Sequence, residues 1–292
     1  MKQPKKTAKM PPHTKAIETT GHVWDGIEEL NNPLPRWWLW IFYATIIWGI
    51  GYMIVYPAIP LLRQATQGVF GYDSRLELQQ DLASWQARNA ALDERLVNRD
   101  LTSIADDPEL AHYAFTGGGA VFRTYCEQCH GAGAKGSKGY PNLLDDDWLW
   151  GGDIEAIAHT ITHGVRVEDD DDTRFSEMPA FADLLSSEEI IDVTHYTLSL
   201  SGVPHNPVYV PSGRAVFAEN CADCHGEYGQ GDREFGAPNL TDSLSLYGHD
   251  HLSVAETIAN ARNGVMPAWA DRLSPSQLRQ VAFYVHQLGG GE

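Results

Sequence analysis

Apolar and polar positions follow three different patterns along this chain. From Trp37 to Ile59 the sequence reads WWLWIFYATIIWGIGYMIVYPAI, and no charged residue lies between Arg36 and Arg63. A helix of that length spans about 34 Å, enough to cross a bilayer core of about 30 Å. Aromatic residues crowd both ends (Trp37, Trp38, Trp40; Tyr52, Tyr56), as expected at membrane interfaces, and Pro57 and Pro60 mark the exit. The run is too long and too uncharged for the core helix of a soluble domain. It also starts late and lacks a small-x-small cleavage site, so it reads as a retained anchor rather than a signal peptide. The second pattern, Ser74 to Ile104, is rich in Leu, Ala, Gln, Arg and Glu without Gly or Pro, which predicts a largely helical stretch. Leu78, Leu82, Trp85, Leu92 and Leu96 form its apolar stripe, suited to packing on a partner's membrane domain or on the chain's own later domains.

The third pattern is an internal repeat. Ala120-Val121-Phe122 recurs 95 residues later as Ala215-Val216-Phe217, and Pro141-Asn142-Leu143 recurs 97 later as Pro238-Asn239-Leu240. Gly164-Val165 recurs at 100, whereas Met178-Pro179-Ala180, Leu185-Ser186 and Tyr196 all recur at 88. The drop from 100 to 88 assigns 12 additional residues, Arg166 to Glu177, to the first repeat. Glu168 and the run Asp169–Asp172 make this insertion a solvated loop, with docking of a basic partner ahead of calcium binding as its use. Each repeat predicts a small helical domain: a helix carrying a C-x-x-C-H motif, a Pro-Asn-Leu loop, a short helix ending at Gly-Val, a Met loop and a final helix. Ser187-Glu188-Glu189 and Ser274-Pro275-Ser276-Gln277 read as the capped starts of those final helices. The chain is therefore all-α, divided into a tail (1–36), a transmembrane anchor (37–59), a helical connector (60–115), domain one (116–202), a linker (203–211) and domain two (212–292).

Charge orients this arrangement. Residues 1–36 hold six Lys/Arg (Lys2, Lys5, Lys6, Lys9, Lys15, Arg36) against four acids, while the rest carries 15 Lys/Arg and 35 Asp/Glu. The basic tail predicts a cytoplasmic N-terminus. The acidic body argues against nucleic acid as a partner.

All four cysteines fall in two copies of C-x-x-C-H: Cys126-Glu127-Gln128-Cys129-His130 and Cys221-Ala222-Asp223-Cys224-His225. This is the attachment signal of covalent c-type haem. Residues three and four apart share a helix face, so two thiols can meet the two haem vinyls while the adjoining imidazole reaches the iron. A redox dithiol or half of a zinc site does not require His after the second Cys. Two covalently bound haems c follow, with His130 and His225 as iron ligands, and thiol attachment favours an extracytoplasmic location.

The second axial ligand follows from counting. Met1, Met10 and Met53 lie in the tail and anchor, which leaves Met178 and Met266, at matched positions and each followed by Pro-Ala. His/Met coordination is the expectation. His159, His163, His195, His249, His251 and His286 keep bis-His ligation as the alternative, but none is matched between repeats. Pro141 and Pro238 are expected to support the ligand histidines through their carbonyls. In the simplest topology Met178 serves the first haem and Met266 the second; two similar domains packed face to face can also exchange these loops, and sequence leaves the pairing open.

The domain pattern resembles cytochrome c class I. A more specific resemblance rests on His22-Val23-Trp24-Asp25-Gly26-Ile27 with Glu29 and Asn32-Pro33-Leu34-Pro35-Arg36-Trp37-Trp38, and on Gly139-Tyr140-Pro141-Asn142-Leu143 with Asp146-Asp147-Trp148-Leu149-Trp150-Gly151-Gly152. These runs are similar to the dihaem subunit III of cbb3-type cytochrome c oxidases, from about residue 20 to the C-terminus. The resemblance implies a non-catalytic electron-entry subunit of a proton-pumping terminal oxidase. Its haems would take electrons from a donor cytochrome c and pass them to the monohaem cytochrome subunit and on to the catalytic haem-copper subunit. It implies a bacterial inner membrane location with periplasmic haem domains, Cys126, Cys129, Cys221 and Cys224 as the attachment residues, and His130, Met178, His225 and Met266 as iron ligands. One departure from some members is the single spanning segment, where those have two. The alternatives are a free membrane-anchored dihaem cytochrome, the cytochrome subunit of a periplasmic dehydrogenase and, behind them, a dihaem peroxidase or a sensor.

Overall fold

Asp25 and Gly26 both take positive φ, 48° and 84°, as a tight two-residue hairpin turn requires. The flanking residues pair as antiparallel strands β1 (Thr19–Trp24) and β2 (Ile27–Leu30). The computed structural model describes residues 18–292; the lysines of the tail (Lys2, Lys5, Lys6, Lys9, Lys15) and Met10 lie outside the described residues. This hairpin falls in the segment expected as a tail and is the one strand pair among the described residues. The remainder is helical, as expected.

Helix α1 covers Arg36–Val55, 20 residues, or about 30 Å of rise. It stops short of Ile59 because Pro57 disfavours helical backbone at the residue before it, and Tyr56 is accordingly extended (φ −111°, ψ 159°). No residue of α1 is buried, and it is the one described helix long and apolar enough to cross a membrane. The chain then folds back so that Val69 N–H donates to Ile54 O (3.1 Å) and Phe70 N–H to Val55 O (3.2 Å). Two carbonyls that the helix end leaves open are thereby satisfied.

Helix α2 spans Ser74–Asn98, and a short 3₁₀ turn, Leu101–Asp106, completes the connector. The expected apolar stripe is buried only at its C-terminal end. Leu96 is buried and Leu92 packs with it against Ile104, Leu110, Ala114, Ile154 and Phe283, while Leu78, Leu82 and Trp85 remain exposed. Packing divides the chain into two units, one ending at Ser84 and one running from Trp85 to Glu292.

The second unit holds both repeats. The first contributes α3 (Pro108–Val121), α4 (Glu127–His130), α5 (Ile154–His163) and α6 (Ser187–Leu200). The second contributes α7 (Val210–Asn220), α8 (Ala222–His225), α9 (His251–Asn260) and α10 (Pro275–His286). Helix starts are capped as the sequence suggests. Asp107, Asp153 and Asp250 cap α3, α5 and α9, while Ser186/Glu189 and Ser274/Gln277 form capping boxes. The first box begins at Ser186, one residue before the expected start.

The packing of these helices crosses between the repeats. The last helix of the chain, α10, lies on α3 and α5 of the first repeat, whereas α6 lies on α7 and α9 of the second. One core gathers Val121, Phe122, Ile157 and Ile161 with Leu273, Val281, Ala282 and Val285. The other gathers Phe181, Val193 and Tyr196 with Phe217 and Ile258. Equivalent aromatic pairs seal the two crossings, Phe122 with Tyr284 (ring centroids 5.5 Å apart) and Phe217 with Tyr196 (5.2 Å). Glycine is needed at two equivalent positions: a Cβ at Gly118 would overlap the backbone carbonyl of Gln280, and one at Gly213 that of Asp192.

Candidate haem-attachment sites

Each C-x-x-C-H begins where a long helix ends. Helix α3 runs through Val121 into a π-helical turn, Phe122–Cys126, and the single turn α4 carries the rest of the motif. In the second repeat α7 ends at Asn220, Cys221 caps it, and α8 follows. Gly131 and Gly226 then turn the chain with φ of 77° and 79°, conformations that only glycine adopts without strain. The inner cysteines, Cys126 and Cys221, are half-buried and the outer ones, Cys129 and Cys224, exposed. Burial disfavours the thiolate and pushes both inner thiols up to about 11, with the neighbouring cysteine adding to the shift.

Both motif histidines are oriented by a proline carbonyl. His130 Nδ1 lies 3.0 Å from Pro141 O, and His225 Nδ1 lies 3.1 Å from Pro238 O. A carbonyl only accepts, so Nδ1 carries the proton and Nε2 keeps its lone pair. Burial lowers the pKa of both imidazoles, opposed by the hydrogen bond to each carbonyl. They are therefore neutral, as ligation of a metal requires. The expectation for Pro141 and Pro238 is met in both repeats.

The methionines sit in the crossed arrangement. Met266 packs in the core that includes Cys126, and its backbone pairs with the end of α5: Val165 N–H donates to Met266 O (2.9 Å) and Met266 N–H to Val165 O (3.1 Å). Met178 packs in the core that includes Cys221, and Asn263 holds it from beyond α9. Met178 N–H donates to Asn263 Oδ1 (3.2 Å), and Asn263 Nδ2 donates to Met178 O (3.3 Å). Each core thus holds an attachment-motif cysteine from one repeat and a methionine from the other, with the motif's second thiol and its neutral imidazole carried on the adjoining single turn. That donor set fits a covalent c-type haem with histidine and methionine ligands.

Several of the other histidines have ring or hydrogen-bond partners of their own. His163 Nδ1 lies 3.1 Å from both oxygens of Asp170 and its ring packs on His159 at 4.8 Å. His195 lies against Tyr209 (4.9 Å) and His251 (4.7 Å), and His286 Nε2 is 2.9 Å from Glu292 O. Two polar atoms, His159 Nδ1 and Arg174 Nε, are buried with no hydrogen-bond partner among the described residues. The insertion is not uniformly solvated: Asp169, Asp171 and Asp172 are exposed, but Asp170 turns in to His163.

Sequence reading missed Asn263 and Arg166, whose contacts join segments far apart in the chain. It also passed over Gly118 and Gly213, which a closer alignment at the 95-residue offset would have paired.

The chain resembles known proteins over nearly its whole length. The family described as cytochrome c oxidase, cbb3-type, subunit III matches residues 114–196 and 210–285. The family described as the N-terminal domain of cytochrome oxidase-cbb3, FixP, matches residues 16–63. The cbb3-type cytochrome c oxidase subunit CcoP of Cereibacter sphaeroides is 57% identical over 276 residues, covering 94% of this chain and 95% of its own length. Its Rhodobacter capsulatus counterpart is 51% identical over 98% of this chain and 100% of its own. The FixP subunit of Sinorhizobium medicae is 50% identical over 94% and 96%.

Proposed function

The chain belongs to the family of cbb3-type cytochrome c oxidase subunit III, and from that premise we propose a residue-level account of how it moves electrons. It is an electron-transfer subunit of a cbb3-type oxidase, built on cytochrome c domains that bind haem c. In our reading it carries two haems. Cys126 and Cys129 hold one through thioether bonds and Cys221 and Cys224 the other, while His130 and His225 offer Nε2 to iron. Met266 completes the first site and Met178 the second. Haem iron so held supplies a one-electron ferric/ferrous couple.

The protein's own part is to orient and to exclude. The carbonyls of Pro141 and Pro238 fix the tautomer of each histidine. With Met266 and Met178 as second protein ligands, a bound haem iron would have no open place for oxygen or peroxide and a raised potential, so this subunit would relay electrons without reducing oxygen. The observation that supports the reading is the reciprocal packing, in which Met266 shares a core with Cys126 and Met178 shares one with Cys221. The same pairing argues against a peroxidase, which needs an iron site that opens.

We further propose that α1 anchors the chain in a bacterial inner membrane with the N-terminus in the cytoplasm and residues beyond it in the periplasm. Electrons would arrive from a donor cytochrome c and leave to the monohaem cytochrome subunit and the catalytic haem-copper subunit. Membrane lipid would cover the exposed apolar surface of α1. The test is detergent purification of the complex with Cys126→Ala and Cys221→Ala beside the wild type. Copurified haem-copper subunits and loss of cytochrome-driven oxygen uptake in both variants support the account. An isolated dihaem protein with no oxidase would return the reading to a free cytochrome or a dehydrogenase subunit.

A further inference from the structure

The two methionine-bearing segments approach each other where they cross, and a single side chain bridges them. Arg166 Nε donates to Gly264 O at 2.7 Å, two residues before Met266. Its Nη1 donates to Ser176 O at 2.7 Å, two residues before Met178. We infer that Arg166 is a positioning residue for both haem sites at once, a fork that sets the approach of Met266 to the first site and of Met178 to the second. This rests on the proposal that these methionines are the axial ligands.

Several independent features single out this residue. Its backbone lies in the left-handed region, φ 56°, where a bulky residue persists only when its surroundings hold it. Here the surroundings are the amide bond to Arg174 O (2.8 Å) and the paired backbone of Val165 and Met266 on its N-terminal side. The guanidinium spends its donors on main-chain carbonyls of two different segments. A planar fork with fixed donor directions can do this, whereas the single ammonium of lysine cannot span both acceptors in the same geometry. Position 166 is also the first residue of the insertion, whereas in the second repeat Met266 itself follows Gly264-Val265. The second repeat thus has no arginine of its own at the crossing, and one residue serves both.

The consequence is a correlated effect. Weakening one fork should loosen both methionines, whereas weakening Asn263, whose side chain hydrogen-bonds to the Met178 backbone, should loosen one. The experiment uses the purified holo-complex with Arg166→Gln, Arg166→Lys and Asn263→Ala, and with Met178→His and Met266→His as references. Its readouts are the far-red ferric methionine-to-iron band, the two haem potentials and carbon monoxide binding to each reduced haem. Arg166→Gln is expected to raise the carbon monoxide-accessible fraction of both haems on the order of 10-fold, about 1.4 kcal/mol, the scale of one charge-assisted hydrogen bond lost on each segment. Both potentials fall together, and Arg166→Lys, which still folds around a cation, recovers part of the band. Asn263→Ala alters the Cys221 haem alone. The inference is overturned if either arginine variant leaves both bands and potentials at wild-type values, or changes only one haem. If the methionine references themselves leave the bands unchanged, it is the axial-ligand assignment that has failed.

Discussion

At the haem-attachment motifs the two repeats are chemically matched. His130 and His225 lie 3.0 and 3.1 Å from their proline carbonyls, and Cys126 and Cys221 are pushed to the same pKa of about 11 by the same burial. At the exits from α5 and α9 they part. The first repeat leaves Gly164 and passes through the insertion before reaching Met178, while the second leaves Ala261 and reaches Met266 directly. Ligand geometry is short-range and tolerates little change, so it is kept in both halves. The crossing only requires that each segment reach the other half, so its length can differ, and Arg166 occupies the gap that this difference creates.

Breaking either attachment site is the harshest way to test that equivalence. If the two haems act in series, Cys126→Ala and Cys221→Ala each reduce donor-driven oxygen uptake more than about 100-fold, roughly 3 kcal/mol, with one haem retained per chain by haem stain. Half-activity in either variant would mean parallel entry and sink the relay.

The crossing comes next. Met266→His should lower the potential of the haem on Cys126, and Met178→His that of the haem on Cys221, each on the order of 0.2 V within the range set by axial ligands. Redox titration of either variant combined with a single-haem background reads the pairing. The uncrossed result, Met178 acting on the Cys126 haem, would break the exchanged arrangement.

The matched cores sharpen the comparison at the level of stability. Phe122 and Phe217 are each 2% exposed, and truncating either to Ala should cost about 3–5 kcal/mol. Because α10 and α6 each pack on the other repeat, urea unfolding of Phe122→Ala should expose residues of both repeats to hydrogen exchange. Unfolding confined to residues 108–164 would contradict the shared core.

The smallest effect concerns a carboxyl of the first repeat facing the second. Burial, with Asp242 and Asp145 close by, raises Asp147 from 3.8 to about 6. A carboxyl whose folded pKa lies above its unfolded value favours the fold while protonated, and that contribution is lost as pH rises from about 4 through 6. Asp147→Asn should flatten the stability profile over that window and gain about 1 kcal/mol at neutral pH after allowance for screening. An unchanged slope in pH-dependent denaturation would remove Asp147 from the balance.

Much of this was legible in the residues because it depends on neighbours in sequence. The anchor follows from an uncharged apolar run, the capping boxes from Ser186/Glu189 and Ser274/Gln277, and the haem motifs from four cysteines with an adjoining histidine. The hairpin at Asp25-Gly26 also had a readable turn signal, although the flanking residues are too polar and too exposed to announce strands. Burial of the connector stripe was only half legible, since Leu92 and Leu96 have a core to join and Leu78 and Leu82 do not.

The sequence by itself determined the apolar candidate span, the two repeats, the candidate attachment residues and the pair of candidate thioethers, because spacing along one chain dictates which groups share a helix or a turn. Only the tertiary structure decided that each methionine packs in a core with the other repeat's motif cysteine. Two repeats with equivalent helix faces offer the same contacts whether paired within or across, so Gly118 with Gln280 and Gly213 with Asp192 satisfy a local pattern that either topology would satisfy. The choice between them rests on contacts between residues 85 or more positions apart, Val165 with Met266 and Asn263 with Met178, for which no local spacing carries a signal.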